Sequence, residues 1–437
     1  SLVLGTICGI SPLEIAVALP NNLIGHVPIT AISESLTQRL QALQANGEKG
    51  DGEESGDENN LDDIDINRFV HLGQYVRAYV VSTIDESVAG KTRRHIELSL
   101  YPAHANSGLS EQDIVLNSTL MASVVSVEDH GFVMDIGISD SQLKGFLPRK
   151  QLDPSIPEEN VQPGSVLLCI VTGKAASGKV VQLSTLVDRL GNPKHFPAEA
   201  TTIDTFLPGT AAEVLVSEVH THGLVGKVMG HLDVTADIVH SGSGPDGADL
   251  VNQYKVGSRV KARVNCNFPT ANKPKLGISL LPHVLSLKPK TTTKDGQEVL
   301  PTDVLAHSAI IQECRVERVE PGIGLYVNVG VEGVSGFVHI SRVKDGKIDT
   351  LFENSGPYKI GSVHPGRVVG YNSFDGVYLL SLEKSVLEQP FLRIEDIPIG
   401  AVVSGQVEKL VVNTQGFGGL IVKIAEGISG LVPEMHV

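Results

Sequence analysis

Hydrophobic and polar residues alternate in short runs along most of the chain. The segment TLMASVVSVEDHGFVMDIG at 119–137 places Val and Ile at alternate positions, the period of a strand with one buried face. Glycines separate many such runs, which indicates tight turns or sharp bends between neighbouring strands. The clearest helical pattern is SESLTQRLQALQ at 33–44, with Ser33 as its N-terminal cap. The pattern therefore predicts a mostly β protein with little helix.

One closing phrase recurs along the chain, as IELSLYP, VQLSTL, GISLLP and LLSLEK. Its serines, separated by 85, 95 and 102 residues, are Ser99, Ser184, Ser279 and Ser381. A glycine that opens a β-type run precedes each phrase, and a glycine-rich strand pair lies further upstream. Self-similarity at this spacing is typical of tandem structural units. Short, glycine-punctuated strands favour small closed barrels, which leave no exposed sheet edges.

The repeats predict an all-β chain of tandem five-stranded barrels, arranged as beads on a string and joined by polar linkers. The predicted units are 1–102, with an acidic disordered insert at about 44–66, then 113–190, 203–287, 303–388 and a truncated fifth unit at 396–437. Because the pattern breaks off within the fifth unit, we expect the chain to be a piece of a longer protein. A length of 437 residues also favours several cores over one.

The formal net charge is −15, with 35 Lys and Arg against 50 Asp and Glu, which excludes a protein that is basic over its whole surface. Residues 47–65 hold nine acids and one Lys, so they account for more than half of that excess. Such a run repels itself and buries little, so it is expected to be disordered. Local basic faces remain possible elsewhere. No apolar run approaches the ~20 residues of a membrane span, so no membrane partner is expected.

The sequence offers no convincing catalytic or metal motif. The four cysteines, Cys8, Cys169, Cys266 and Cys314, lack CxxC spacing, so we expect small buried thiols rather than a zinc site or disulfides. GKAASGKV at 173–180 matches a phosphate-binding loop, but Val180 replaces the Ser or Thr that would hold magnesium. Because strands flank it on both sides, we interpret it as a hairpin turn. No enzyme activity, cofactor, metal or small-molecule substrate is therefore expected.

The order of elements in each repeat resembles the S1 domain, an OB-fold barrel that binds RNA. Repeat four carries a full set of the family's phrases, GIGLYVNVGVEGVSGFVHISR at 322–342, then YKIGSVHPGRVVG and YLLSLEK. The acidic insert in repeat one, followed by SVVSVEDHGFVMDIG, resembles the N-terminal repeats of the eukaryotic ribosomal RNA processing protein five family. That family joins a long S1 array to a helical-repeat region and serves early assembly of both ribosomal subunits. The resemblance implies a nuclear and nucleolar location.

The resemblance also implies where RNA would bind, through aromatic side chains that stack on bases and cations that follow the phosphates. Carried over residue by residue, it points to Tyr326, His339 and Arg342 in repeat four, His130 and Phe132 in repeat two, and His222 and Lys275 in repeat three. Further cations within reach of phosphates are Lys144, Arg149 and Lys150 beside the GFLP turn, and Arg259 and Lys261, which alternate with Arg263 along one strand. No repeat keeps the full stacking set.

Three functions remain open from the sequence. The first is a non-catalytic RNA-binding scaffold that holds pre-ribosomal RNA and assembly proteins of the small-subunit processome and early large-subunit particles. The second is a purely protein-binding array whose RNA contacts lie elsewhere in the full protein, which Pro28 and Pro433 at the expected His positions favour. The third is the accessory region of a ribonuclease. We favour the first, because tandem barrels present a long surface on which several partners can dock.

Overall fold

The computed structural model describes residues 1–47, 65–88, 91–138, 143–175, 178–242, 250–268, 273–413 and 416–437. Most of the predicted acidic insert lies outside these described residues. The chain divides into two compact units, of which the first contains residues 1–290 and 372–375 and the second contains 291–371 and 376–437. Within the described ranges, no helix has both the length and the apolar character needed to cross a membrane.

The first unit contains three barrels of five strands each, and in each barrel the first strand also pairs with the fourth. Barrel one is formed by β1 (Leu2–Ile10), β2 (Glu14–Leu19), β3 (Leu23–Pro28), β4 (Tyr75–Val88) and β5 (Lys91–Ser99). Barrel two is formed by β6 (Thr119–Glu128), β7 (Gly131–Asp135), β8 (Lys144–Pro148), β9 (Val166–Lys174) and β10 (Val180–Ser184). Barrel three is formed by β11 (Ala211–His220), β12 (Gly223–Val228), β13 (Leu232–Asp237), β14 (Arg259–Asn267) and β15 (Lys275–Ser279).

The described residues of the second unit form a further closed barrel and two smaller sheets. A two-stranded hairpin, β16 (Thr292–Lys294) and β17 (Gln297–Val299), comes first. Barrel four is formed by β18 (Ile310–Glu320), β19 (Gly324–Val331), β20 (Val334–His339), β21 (Val363–Asn372) and β22 (Val377–Ser381). The described strands of the fifth repeat form a three-stranded sheet of β23 (Gln406–Asn413), β24 (Gly416–Ala425) and β25 (Ile428–Pro433).

Helices are short, apart from the one predicted from the sequence. That helix, α1, covers Glu34–Gly47, and the Leu36 backbone N–H donates to Ser33 Oγ at 3.3 Å, as expected of a cap. The others are single turns: α2 (Pro102–Ala105), α3 (Val187–Leu190), α4 (Leu250–Gln253), α5 (Pro282–Ser286), α6 (Pro301–Val304) and α7 (Lys384–Leu387). The predicted fold, all-β with tandem five-stranded OB-type barrels and little helix, is confirmed.

Each barrel is filled by the inward-facing half of its strands. In barrel two, Leu120, Ala122 and Val124 on β6 meet Leu147 and Leu183 from other strands in one apolar cluster. Val and Leu dominate all of the barrel cores, since the chain has no Trp and few other aromatics. The strands β9 and β10 pair antiparallel, with Lys174 opposite Val181, as the hairpin interpretation of GKAASGKV predicts. Residues 176 and 177 of this segment lie outside the described residues.

The cysteines follow the prediction only in part. Cys169 and Cys314 are buried as small apolar side chains, whereas Cys8 is exposed. The expectation of burial was therefore wrong for Cys8, which lies near the C-terminal end of β1, where the strand is no longer buried.

The barrels of the first unit are in closer contact than the sequence predicts. Strand β1 of barrel one pairs with β14 of barrel three through Val3 and Cys266, so these two barrels share one ten-stranded sheet. The Arg77 side chain on β4 is fully buried. It donates hydrogen bonds to the Pro208 carbonyl, just before barrel three, and to the Thr119 hydroxyl, at the start of barrel two. The three barrels therefore pack as one body with shared contacts.

Candidate nucleic-acid interface

The third strand of each repeat carries three alternate positions whose side chains point away from the barrel core. On β8 these are Lys144, Phe146 and Pro148, while Gly145 and Leu147 are buried. This alternation follows from the pleat of a strand, which turns successive side chains to opposite faces. We call the three outward positions the outer strip of a barrel.

Strand pairing identifies the same strip in every repeat. The last strip residue pairs with a residue at or near the start of the second strand: Pro28 with Glu14, Pro148 with Gly131, Asp237 with Gly223, His339 with Gly324, and Pro433 with Gly419. The strips are therefore Ile24–His26–Pro28, Lys144–Phe146–Pro148, Asp233–Thr235–Asp237, Ser335–Phe337–His339 and Ser429–Leu431–Pro433. Their chemistry differs sharply between repeats, so the barrels are not equivalent binding surfaces.

The strip of barrel two combines an accessible aromatic ring with a cation. Phe146 is half-buried and lies between Val133 on β7 and Gln182 on β10, its cross-strand partners. Lys144, two residues earlier on the same face, is exposed. An aromatic ring for stacking beside an ammonium for phosphate is the arrangement that single-stranded nucleic acid requires.

The other end of this strip carries further polar groups that the sequence pointed to. His130 and Lys150 are both exposed, and the Arg149 backbone N–H donates to the His130 carbonyl at 3.1 Å. The Arg149 side chain is already engaged, since it pairs with Glu158 and its Nε–H donates to the Asp129 carbonyl at 3.0 Å. His130 and Lys150 are thus better placed to meet a ligand than Arg149.

Phe132 requires a correction. The ring was expected to contact RNA, but it is fully buried in the core of barrel two. Gly131 pairs with Pro148, so the next residue, Phe132, faces inward opposite Leu147. A shift of one residue along a strand exchanges its two faces. The aromatic ring on the outer face is Phe146, which the sequence reasoning missed although it stands in the GFLP phrase.

Barrel four holds Tyr326, the aromatic residue that the sequence singled out, but its ring is covered. Tyr326 on β19 and Phe337 on β20 are cross-strand partners, and their ring centroids lie 5.1 Å apart. Tyr326 is only 7% exposed and Phe337 only 5%, so neither ring presents an open face to a base. Phe337 is a second aromatic residue that sequence reasoning missed. The available signal was the Gly-Phe pair in the third strand, which occurs in GFLP of repeat two and again in GFVHIS of repeat four.

The exposed groups of barrel four are at the end of its strip. His339 and Arg342 are both exposed, and the His339 Nδ1 lies 2.8 Å from Ser341 Oγ at the start of a 3₁₀ turn. Partial desolvation of the imidazole, and to a smaller extent the charge of Arg342, lowers the pKa of His339. The imidazole is therefore neutral at pH 7 and acts through hydrogen bonding and ring contact rather than as a cation.

Barrel three has an unfavourable strip for phosphate. Asp233 and Asp237 occupy its two ends, where their carboxylates would repel a nucleic-acid backbone. His222, in the turn before β12, and Lys275, which pairs with Asp233 on β13, are both exposed. They lie at opposite ends of the strip, separated by about five residues of strand or roughly 16 Å. The structure does not bring these two predicted residues together.

The basic side chains of β14 in barrel three already have protein partners. The carboxylate of Glu213 accepts hydrogen bonds from Arg259 at 2.8 Å and from Lys261 at 2.7 Å. Arg263, expected on the same solvated face, is fully buried and donates to the carbonyls of Gly209 and Leu285. That expectation was wrong because neighbouring segments cover this end of β14.

The remaining strips lack both the cation and the open ring. In barrel one, His26 stacks on His95 with 5.0 Å between ring centroids, and Pro28 ends the strip. In the fifth repeat, Leu431 is exposed between Ser429 and Pro433. Among the described residues, moreover, no group of three or more His, Cys, Asp or Glu side chains has the geometry to hold a metal ion.

Comparison with known proteins assigns the family. Residues 300–392, which include barrel four, match the family model of the RRP5 OB-fold domain. The whole chain aligns with the rRNA biogenesis protein rrp5 of Schizosaccharomyces pombe at 38% identity over 442 residues, and with the RRP5 homologue of Mus musculus at 30% over 445 residues. The chain belongs to the RRP5 family of rRNA biogenesis proteins.

Similarity to the RRP5 family extends to plants. The rRNA biogenesis protein RRP5 of Arabidopsis thaliana is 23% identical over 435 residues, which cover 99% of this chain. The chain spans about a quarter of the length of these relatives, 24% of the Schizosaccharomyces pombe protein and 22% of the Mus musculus protein. The resemblance to S1 repeats of this family, inferred from the sequence, is thereby confirmed.

Proposed function

We propose that this chain is a non-catalytic RNA-binding scaffold in ribosome biogenesis. It binds pre-ribosomal RNA together with assembly proteins of the small-subunit processome and early large-subunit particles, in the nucleolus. Membership of the RRP5 family supports the part of this proposal that concerns ribosome biogenesis. The single observation that carries RNA binding is the outer strip of barrel two, where Lys144 and the half-buried ring of Phe146 lie side by side.

The chemistry of this strip suits single-stranded RNA without sequence preference. A base can stack on Phe146, because every base presents a π face, while Lys144 at one end and Lys150 at the other reach phosphates. Barrel four adds a weaker contact through His339 and Arg342, which are exposed. Several weak sites on one chain raise the overall affinity through their effective concentration.

The double substitution Phe146→Ala with Lys144→Glu is expected to weaken binding of a short labelled oligouridine about ten-fold, since one stacked base contributes about 1–3 kcal/mol. Losing the phosphate contact should also reduce the salt slope of binding by about one. Fluorescence anisotropy titrations at several salt concentrations measure both effects.

The matched control is Phe352→Ala with Lys347→Glu, which makes the same chemical changes at two exposed positions outside every outer strip. It should leave the affinity within two-fold. If both double variants bind oligouridine as the unchanged protein does, the strip of barrel two is not an RNA site. Cleavage of labelled RNA by the purified chain in the presence of magnesium would contradict the non-catalytic role.

A smaller effect is expected at barrel four. His339→Ala with Arg342→Ala should weaken oligouridine binding roughly two- to three-fold, since only an imidazole contact and one phosphate contact are lost there, and a single phosphate contact in salt contributes only modestly. Because His339 is neutral at pH 7, this loss should not change between pH 7 and pH 8. Anisotropy at the two pH values checks it, and a loss that grows towards pH 7 would indicate a cationic imidazole instead.

A second role, as a protein-docking array, is favoured by one observation. The strip of barrel three carries Asp233 and Asp237 where the strip of barrel two carries Lys144 and Pro148. This barrel is therefore better suited to protein partners than to RNA.

A further inference from the structure

A pocket of about 460 Å³ lies beside barrel three, within the first unit. The segment before the barrel forms one wall, and the outer surfaces of β11, β12 and β14 form the others. We call it the barrel-three pocket; its main lining residues are Phe196, Ala198, Phe206, Leu215, Met229 and Arg259. It is separate from the outer strips that the proposed RNA contact uses.

Two large apolar side chains are exposed in this pocket. Leu215 on β11 is 41% exposed and Met229, in the turn between β12 and β13, is 39% exposed. Apolar side chains gathered around a concavity, rather than scattered singly, are characteristic of interaction sites. Methionine adapts its unbranched chain to partners of different shape.

The backbone at Met229 adds a second, independent observation. Its φ is +52°, in the left-handed region where glycine and asparagine are favoured and bulky side chains are uncommon. The neighbouring Gly230, with φ of +78°, fits such a turn without strain. A strained residue that also exposes an apolar side chain is typical of a functional position.

The rim of the pocket is basic but not uniformly so. Arg259 and Lys261 share the carboxylate of Glu213, and Lys227 lies 3.9 Å from Asp233. The Arg259 side chain remains 73% exposed. Because a guanidinium has five N–H donors in a planar fork, Arg259 can bind a second carboxylate in addition to Glu213.

Neither aromatic ring in this pocket is available to a base, since Phe206 is only 3% exposed and one face of Phe196 is covered. The ammonium of Lys261 lies 4.1 Å from the centroid of Phe196, over the ring, where a cation–π contact occupies that face. Glu213 in the rim and Asp233 near it would repel a phosphate backbone. The pocket is therefore better matched to a peptide than to RNA.

We propose that the barrel-three pocket binds an acidic, apolar peptide segment of a partner protein. One apolar side chain of the peptide packs against Leu215 and Met229, and a neighbouring carboxylate pairs with Arg259 at the rim. This inference rests on the proposed scaffold function, which it extends by naming the chemistry of a protein partner.

The test uses the complete chain with ¹³C-labelled methionine methyl groups. The sequence has four methionines, of which Met121 and Met134 are buried and Met229 and Met435 are exposed. The probe is a synthetic peptide, Asp-Glu-Asp-Leu-Phe-Glu-Asp, titrated while the methyl spectrum is recorded, with Met229→Leu assigning the pocket signal. Saturable movement of the Met229 signal alone is expected.

A basic peptide and charge-reversal variants test whether the pocket recognises acidic side chains through Arg259. A peptide with Lys in place of every acid should bind at least ten-fold more weakly, and Arg259→Glu should weaken the acidic peptide by the same factor. Lys255→Glu changes charge at another exposed position of the same barrel and should not weaken it. Equal binding of both peptides, or equal movement of Met229 and Met435, overturns the proposal.

A titration with oligouridine tests whether the barrel-three pocket binds RNA instead. It should leave the Met229 signal in place even while anisotropy reports binding, and movement of that signal by RNA would reassign the pocket to RNA and overturn the peptide proposal. Failure of RNA binding in the anisotropy assay, with Met229 still responding to the acidic peptide, would instead remove only the RNA-binding part of the proposed function.

Discussion

Replacing Arg77 with methionine is expected to destabilise the first unit by about 3–5 kcal/mol, the cost of breaking a buried charged network. The guanidinium is fully buried. Its Nε–H donates to the Pro208 carbonyl at 2.6 Å, and its two terminal nitrogens donate to Asn106 Oδ1 at 2.9 Å and to Thr119, at 3.0 Å for the carbonyl. One side chain thus connects segments of three barrels.

The size of this effect comes from the acceptors that Arg77 satisfies. Pro208 lies just before barrel three, Asn106 follows barrel one, and Thr119 begins barrel two. Burial lowers the pKa of Arg77 to about 9, so the group is still charged at pH 7 and its hydrogen bonds are charge-assisted. Methionine fills part of the volume but leaves the Pro208 and Thr119 carbonyls without the Arg77 donor, which costs about 1–3 kcal/mol for each unsatisfied group. Asn106 Oδ1 keeps its second hydrogen bond, from the Met121 backbone N–H at 2.9 Å.

Urea unfolding followed by circular dichroism measures the change, and hydrogen exchange resolves the first unit from the second. Arg315→Met is the matched control, because Arg315 is exposed on β18 of barrel four, and it should change stability by less than about 0.5 kcal/mol. Arg77→Lys keeps the charge but loses the planar fork, so it should fall between the two. A loss below about 1 kcal/mol for Arg77→Met would show that the three barrels are stable without this network.

The sequence predicted the barrels but not how those of the first unit pack. Alternation and glycine spacing define individual strands, which is why the repeats and α1 could be predicted. Arg77 occupies a polar position in QYVRAYVV, so alternation alone predicts a solvated side chain there. Only contacts between residues distant along the chain bury it, and a periodic pattern contains no information about such contacts.

The candidate site was predicted in the same partial way. Periodicity correctly indicates that Tyr326 points out of its barrel, but it cannot indicate that neighbouring side chains leave only 7% of the residue exposed. The choice of Phe132 over Phe146 was an error of register, since neighbouring positions on a strand face opposite sides. Strand pairing resolved both questions, because it fixes which residues lie side by side on the outer face.

The second large effect is expected at a glycine where barrel two approaches the segment that follows barrel one. Gly137 has φ of +64°, and a Cβ at this position would lie 2.1 Å from the Ala103 nitrogen and 2.3 Å from the Pro102 carbonyl carbon. Both neighbours are backbone atoms of α2, which cannot rotate away as a side chain can. Gly137→Ala should therefore cost the first unit at least about 3 kcal/mol, combining left-handed strain with displacement of α2.

Gly108→Ala separates these two contributions. Gly108 also has a positive φ, +93°, but a Cβ there would meet nothing within 4 Å, so this variant pays only the conformational cost of about 1–2 kcal/mol. Chemical denaturation of both variants under identical conditions gives the difference directly. Equal losses would mean that α2 moves aside at little cost, and that the contact between barrel two and this segment is not rigid. A larger loss of stability for Gly137→Ala would show instead that the close backbone contact between Gly137 and α2 is rigid.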